Sequence, residues 1–267
     1  MSFSATDAAF EGFRVTRGNP LPILLWALVW LAGLFIASMV AVPIAAPYAA
    51  EIQSAAGDPS ALSAEATRAV YLMTAMAAPF VIGVQSIVSA AVYRAVLEPE
   101  NKAYGFLRLG RDELRLLLVT IIVTAISFAV SSASEFLVRF SSEALGLLGG
   151  FFFNLLGLAL SVFLSVRLSL IAPLTLKRHK FSFAEGWRMS GRVFWPLLGI
   201  TVLAFVMALF VVVLLFLIGW PLAAALGGTG AGALLPNLLL LLLIPFGAML
   251  VSVLLWTPFA ATVRDIA

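Results

Sequence analysis

Cysteine is absent from the 267 residues of this chain, and histidine occurs only once. Without a thiol the chain can form no disulfide, no thiolate nucleophile and no cysteine-ligated metal site. The one histidine, His179, lies in the run Lys177-Arg178-His179-Lys180, where cations surround it and no further metal ligand stands at a suitable spacing. We therefore predict that His179 belongs to a basic loop, and that the protein requires no metal and no other cofactor.

Charged residues are scarce as well. They form 11% of the chain, hydrophobic residues form 63%, and the mean hydropathy is +1.11. A soluble domain carries about 25% charged residues, so this composition excludes a soluble globular protein and indicates an integral membrane protein. A membrane-spanning helix needs about 20 apolar residues. Six such runs lie near residues 21–46, 69–92, 115–134, 148–171, 195–218 and 235–260. The predicted fold is all-α: a polytopic bundle of six transmembrane helices in a single membrane domain, residues 1–267.

Lysine and arginine are distributed unevenly between the two sides of the predicted bundle. Of the 16 basic residues, only Arg68 and Arg139 fall in the loops on one side, and the other side holds all the rest. Because short cytoplasmic loops retain lysine and arginine, both termini are predicted to face the cytoplasm. The sequence pI of about 9.6 then reflects membrane topology, and we expect no nucleic-acid partner.

A short signature occurs three times, each time just before a predicted membrane helix. Residues 11–18 (EGFRVTRG) align with residues 185–192 (EGWRMSGR), and residues 105–111 (GFLRLGR) form a fainter copy. Each predicted helix pair ends at an arginine, at Arg94, Arg167 and Arg264. Internal repeats define an architecture before any single residue does. We therefore predict three tandem two-helix repeats with interfacial cytoplasmic segments, and an irregular six-helix bundle is the alternative. The predicted units cover residues 1–94, 95–167 and 168–267.

The segment around residues 185–192 carries aromatic and cationic residues in a helical pattern. If it is a helix, Phe183, Trp187 and Phe194 share an apolar stripe with cations at its edges. Such a helix lies in the membrane interface, with its rings at headgroup depth and its cations toward anionic lipid. Two interpretations stay open: an aromatic belt that only anchors the chain, or a specific lipid-headgroup site. The candidate headgroup-binding residues are Lys177, Arg178, Lys180, Trp187, Arg188 and Arg192.

Polar residues inside the predicted helices are a further clue to function. No Asp, Glu, Lys, Arg or His lies at a helix centre, which argues against a proton-coupled pump or a transporter of charged substrates. Gln85 and Asn154 lie in equivalent helices and form a candidate polar pocket. A face of hydroxyls, which we interpret as a packing seam rather than a pore, recurs every three or four residues. Its members are Thr120, Thr124, Ser127, Ser131 and Ser134.

No arrangement of residues in the sequence predicts an enzyme. The glycine-rich stretch at 227–232 has no following lysine and no preceding strand, both of which a phosphate-binding loop requires. The sequence contains no nucleophile elbow, no paired carboxylates in a shared apolar site and no cluster of metal ligands. We therefore predict a protein without catalytic activity.

Residues 167–173 and 183–192 resemble a family of bacterial polytopic proteins, those of the glycerophosphoryl diester phosphodiesterase membrane-domain type. In that family an Arg and a Pro at the end of one helix precede a loop with a Trp-Arg or Ser-Trp element. The family's phosphodiesterase activity resides in a soluble barrel domain with acidic and histidine residues, which has no counterpart here. The resemblance implies a stand-alone protein of the bacterial inner (plasma) membrane, and it transfers no catalytic residue.

Two functional hypotheses follow. The first is a lipid-interacting envelope protein or a membrane subunit of a larger complex, whose partners are anionic headgroups, other membrane subunits or a second copy of the chain. The alternative is a channel or transporter for a neutral or amphiphilic solute, lined by Gln85, Asn154 and the hydroxyl face from Thr120 to Ser134. The sequence favours the first, because it lacks residues for chemistry and concentrates basic and aromatic residues at one surface.

Overall fold

A computed structural model describes residues 5–55, 58, 61–226 and 234–267, and the regular structure within these ranges is entirely helical. The helices are α1 (Ala5–Gly18), α2 (Pro20–Ala45), α3 (Ala49–Ser54), α4 (Ala64–Leu97), α5 (Arg111–Leu168), α6 (Ile171–Arg178), α7 (Phe183–Arg192), α8 (Phe194–Leu226) and α9 (Leu234–Ile266). Short 3₁₀ helices occur at Ala46–Tyr48 and Ala103–Phe106. The predicted all-α fold is confirmed.

Six segments of the described chain are long and apolar enough to cross a membrane. They are Pro20–Ser54, Ala64–Leu97, Ala103–Ser141, Leu148–Arg178, Phe194–Pro221 and Leu242–Ile266. Local signals set several of their starts: Pro20 and Pro22 open α2, and Ser63 caps α4 by accepting a hydrogen bond from the Ala66 amide. The protein is therefore a multi-pass integral membrane protein, as its composition predicts.

Helix α5 is a helical hairpin that reverses at Gly146. Gly146 has φ 67° and ψ −158°, a conformation that L side chains rarely adopt and that glycine allows. The first arm covers residues 111–141 and the second arm residues 148–168. The arms touch at Gly157, where a Cβ would lie 3.0 Å from the Cβ and Oγ of Ser134. Helix α6 follows the second arm, and His179 at its end lies 2.8 Å from Asp112 at the start of the first.

Two further helix pairs, α2 with α4 and α8 with α9, pack beside this hairpin, and α4 also contacts α5 and α9. Helix α1 lies against α8 and α9. The largest fully buried side chains, among them Trp26, Phe106 and Leu116, come from segments near Arg94, Arg178 and Arg264. We call this end of the bundle the basic end. Elsewhere large apolar side chains such as Phe128 and Phe210 are exposed, as expected for a surface that faces lipid.

The sequence correctly places an arginine near the end of each helix pair. Arg94, Arg167 and Arg264 lie in the last turns of α4, α5 and α9. The segments predicted to precede the membrane helices form α1 and α7 in two cases and the short 3₁₀ helix Ala103–Phe106 in the third. The division into three repeated units stays a prediction.

Candidate functional site

A cavity of about 310 Å³ lies between α4, the two arms of α5 and α9. Its volume is at the lower end of the range for small-molecule sites, about 300–1,000 Å³. None of the described residues that line it is charged. Its polar lining consists of Gln85, Ser89, Tyr93, Thr120, Thr124, Ser127, Ser131, Ser161, Ser165 and Ser169. The rest of the wall is apolar. It consists of Trp256 and Phe259 from α9 together with Val119, Val123, Val130, Leu164, Leu168 and Ala172.

The polar lining follows from helix periodicity in both arms of α5. In the second arm Ser161, Ser165 and Ser169 recur every four residues and therefore share one face. Because Gly157 lies opposite Ser134, counting back along the antiparallel arms brings Ser161 near Ser131, and Ser165 near the next turn of the first arm. Two rows of hydroxyls thus line the same cavity, and Gln85 of α4 adds an amide.

Most of these groups keep unfilled hydrogen-bonding capacity. Thr120, Ser89 and Ser169 donate to backbone carbonyls of their own helical turns, at 2.9, 3.1 and 2.8 Å. The side chains of seven others make no hydrogen bond to any residue that the structure describes. These are Gln85, Tyr93, Thr124, Ser127, Ser131, Ser161 and Ser165. Most of them are exposed, so the cavity is open on one side rather than enclosed. In the hydrocarbon of a membrane such groups are costly to leave unpaired, so the cavity suits water or a ligand that offers donors and acceptors.

The interpretation of the hydroxyl face as a packing seam is therefore wrong for Thr120 to Ser131, which line open space. It holds for Ser134 alone, because that side chain meets Gly157 of the other arm. This contact closes the space between the arms on the side away from the basic end. The cavity extends from there toward Tyr93, which is buried.

The structure does not bring Gln85 and Asn154 together in one polar pocket. Gln85 lines the cavity, whereas Asn154 does not. Asn154 is exposed beyond the contact between Gly157 and Ser134, and its Nδ2 donates to the Gly150 carbonyl at 3.2 Å. The hairpin register decides this outcome, since the cavity ends one turn before Asn154.

Three of the predicted headgroup-binding cations have partners within the protein. Lys177 Nζ donates to the carbonyls of Val263 and Arg264, at 2.9 and 3.2 Å, and so caps the end of α9. Arg178 lies 3.3 Å from a Glu185 carboxylate oxygen, and Lys180 lies 3.8 Å from the other. These contacts join α6, α7 and α9 at the basic end.

The other three predicted residues lie on α7 in a different setting. The Arg167 guanidinium stacks 4.3 Å from the centre of the Trp187 ring, a favourable cation–π geometry. Arg188 and Arg192 are exposed and form no ion pair with any described residue. Headgroup binding by these residues stays a prediction.

Sequence reasoning missed several residues of the cavity. The four-residue spacing of Ser161, Ser165 and Ser169 is a signal that could have identified the second hydroxyl row. Tyr93, Trp256 and Phe259 carry no such signal, since single aromatic residues are common in apolar helices. In the part of the chain that the structure describes, no group of three or more metal-ligating residues comes together.

No protein-family model, no curated protein and no solved structure matches this chain. The resemblance to phosphodiesterase membrane domains accordingly stays a prediction, as does the absence of catalytic activity. The fold by itself does not specify an activity. Its six apolar helices identify the chain as a multi-pass integral membrane protein, and any more specific function must be argued from the cavity.

Proposed function

We propose that this protein binds a small, uncharged, hydrogen-bonding solute in the cavity and carries it across the membrane. The observation behind this proposal is the lining itself: seven hydroxyl or amide side chains without a hydrogen-bond partner among the described residues line one space between membrane-spanning helices. The hydroxyl face alone was compatible with a packing seam. Its exposure to a cavity of about 310 Å³ favours the solute hypothesis over the lipid or subunit role that the sequence favours.

The chemistry of the lining supports a neutral solute. Hydroxyls both donate and accept, and the glutamine amide does the same through separate atoms. A charged solute in a low-dielectric setting needs an opposite charge, and no described lining residue provides one. The volume of about 310 Å³ limits the solute to a small molecule. Small polyols and small amides fit both limits.

The contact between Gly157 and Ser134 supports transport rather than storage. It is the narrow point between the arms of α5, and it lies on the side away from the basic end. Two small residues meet there, so a modest separation of the arms would extend the cavity past them. In this proposal the structure represents a state in which the cavity is closed at Gly157.

Cysteine accessibility tests whether the cavity holds water. Because the natural chain has no cysteine, Ser127→Cys and Ser165→Cys each introduce a unique thiol. Phe128→Cys is a matched control, since Phe128 neighbours Ser127 and is also exposed but does not line the cavity. In membrane vesicles we expect a charged methanethiosulfonate reagent to modify both serine positions and to leave position 128 unmodified. Equal modification at 127 and 128 would overturn the water-accessible cavity.

Solute flux tests the transport step. Proteoliposomes are exposed to osmotic gradients of urea, glycerol or erythritol, and their swelling is followed by light scattering. We expect at least one of these solutes to enter faster than into protein-free liposomes, and Ser165→Trp to abolish the difference by filling the cavity. Phe128→Trp is the control, because it introduces a tryptophan outside the cavity. Flux equal to that of protein-free liposomes for all three solutes would refute transport, even where the thiols react.

A further inference from the structure

A second depression in the molecule lies between α7 and the arms of α5. Its volume is about 470 Å³, and every lining side chain but one is apolar. Ile126, Leu164 and Leu168 come from α5, and Phe183, Ala184 and Trp187 come from α7. The exception is Arg188, which lies with Ala184 on the exposed side of α7. We call this depression the α7 groove, and it is separate from the hydroxyl-lined cavity.

The charge beside the α7 groove is positive and uncompensated. Arg188 also lines a neighbouring depression of about 330 Å³, together with Arg192 from the next turn of the helix. Glu185 lies in this depression too, but its carboxylate is shared by Arg178 and Lys180. Within the described chain Arg188 and Arg192 have no acidic partner. An apolar groove therefore adjoins a pair of free guanidinium groups.

The wall of the groove is held in place by polar contacts on its inner side. The Trp187 ring is stacked against Arg167, and Ser190 Oγ donates to the Arg167 carbonyl at 2.7 Å. A Cβ at Gly186 would lie 2.9 Å from the Ile171 Cα, so α7 approaches the α5–α6 junction closely. These contacts fix the helix and orient Arg188 and Arg192 outward.

From this geometry we infer that the α7 groove binds an anionic phospholipid, with an acyl chain against Leu164, Phe183 and Trp187 and the phosphate on Arg188 and Arg192. An acyl chain matches the apolar side chains of the groove, and guanidinium groups bind phosphate by paired hydrogen bonds. A zwitterionic lipid offers the same phosphate, but its own cation lies next to that phosphate and weakens the attraction of the two arginines. The inference does not depend on the proposed solute transport, because the two sites share only Leu164 and Leu168.

Lipid titration with native mass spectrometry tests the site. The purified full chain is titrated with phosphatidylglycerol or phosphatidylcholine, and bound copies are counted. We expect the wild-type chain to bind phosphatidylglycerol selectively. The double variant Arg188→Gln with Arg192→Gln should weaken the affinity by about fivefold for each arginine lost, as expected for a cation near an anionic surface. Arg17→Gln with Arg111→Gln is the matched control, since these arginines are also exposed and unpaired among described residues. Equal weakening by the two double variants would overturn the site.

Ala184→Phe separates a groove from a diffuse basic surface. The added ring fills the groove and leaves both arginines in place, and the exposure of Ala184 makes the change tolerable for folding. We expect the variant to keep the wild-type thermal midpoint and to lose its preference for phosphatidylglycerol. Undiminished selectivity in Ala184→Phe would show that the cations act without the groove, which contradicts the inference.

Discussion

Replacing Gly12 by alanine should weaken the packing of α1 against α9. A Cβ at this position would lie 2.8 Å from Leu254 Cδ2, 2.9 Å from Leu254 Cα and 3.0 Å from Thr257 Oγ1. The Leu254 side chain can rotate away, but its Cα belongs to the backbone of α9, so α1 itself has to move. Overpacking of this kind costs about 1–3 kcal/mol. The better helix propensity of alanine offsets at most about 1 kcal/mol.

Gly18 offers a matched control in the same helix, because a Cβ there meets nothing within 4 Å. Gly18→Ala should be neutral or slightly stabilising, while Gly12→Ala should lower the free energy of unfolding by up to about 2 kcal/mol. At about 2–4 °C per kcal/mol, thermal unfolding followed by intrinsic fluorescence in detergent resolves the two. If both variants melt at the same temperature, close approach to α9 is not the reason for glycine at position 12.

Three further substitutions test contacts at the basic end and the start of α4. Arg94→Met leaves the buried Glu113 carboxylate without its ion-pair partner and should lower the free energy of chemical unfolding by about 3–5 kcal/mol. Adding Glu113→Met should recover most of this loss. No recovery in the double variant would contradict the ion-pair explanation. Trp26→Phe removes the Nε1 donor that lies 2.7 Å from the Gly105 carbonyl and should cost about 1–3 kcal/mol, and an unchanged melting temperature would refute this. Ser63→Ala removes the N-cap of α4 and should destabilise the protein by about 1 kcal/mol. The same melting assay measures this change, and wild-type stability of the variant would refute it.

The membrane-spanning segments were predictable because lipid imposes a simple rule on them. A helix that crosses hydrocarbon must be about 20 residues long and apolar, and that requirement is visible in composition alone. The predicted runs are shorter than the helices, since α4 continues to Leu97 and α5 begins at Arg111. The additional turns carry polar contacts such as the one between Arg94 and Glu113. Hydropathy cannot detect turns of this kind.

The candidate site was only half predictable, because it depends on the register of a hairpin. Periodicity places Thr124 and Ser127 on one face of the first arm, but it does not reveal what that face meets. The reversal at Gly146 and the contact at Gly157 decide that it meets a second hydroxyl row. The same register excludes Asn154, although its residue type matches that of Gln85. Pairing across helices is a property of the tertiary structure, and a single sequence does not encode it in any local pattern.

The signature segments gain a physical explanation from the ends of the bundle. In lipid the hydrophobic effect does not hold helices together, so packing of small residues and polar contacts must do so. Gly12 of α1 lies against Leu254 of α9, and Gly186 of α7 lies against Ile171. The glycines allow each signature segment to approach its neighbouring helix closely. A carboxylate then pairs with an arginine near the end of the helix pair that the segment contacts. These ion pairs are Glu11 with Arg264, Glu185 with Arg178, and Glu113 with Arg94.

The fainter copy of the signature also lies beside a pair of carboxylate and arginine, but its carboxylate comes from a different position. The segment at 105–111 has no glutamate before its glycine, and Glu113 supplies the carboxylate from the first turn of α5 instead. Arg94 also donates to the Phe106 carbonyl at 3.3 Å. Each segment thus contacts the end of the helix pair before it, and α1 contacts the last pair through Arg264. Three repeated units would give this order of contacts, but the contacts do not by themselves show a repeat, and the division into three units stays a prediction.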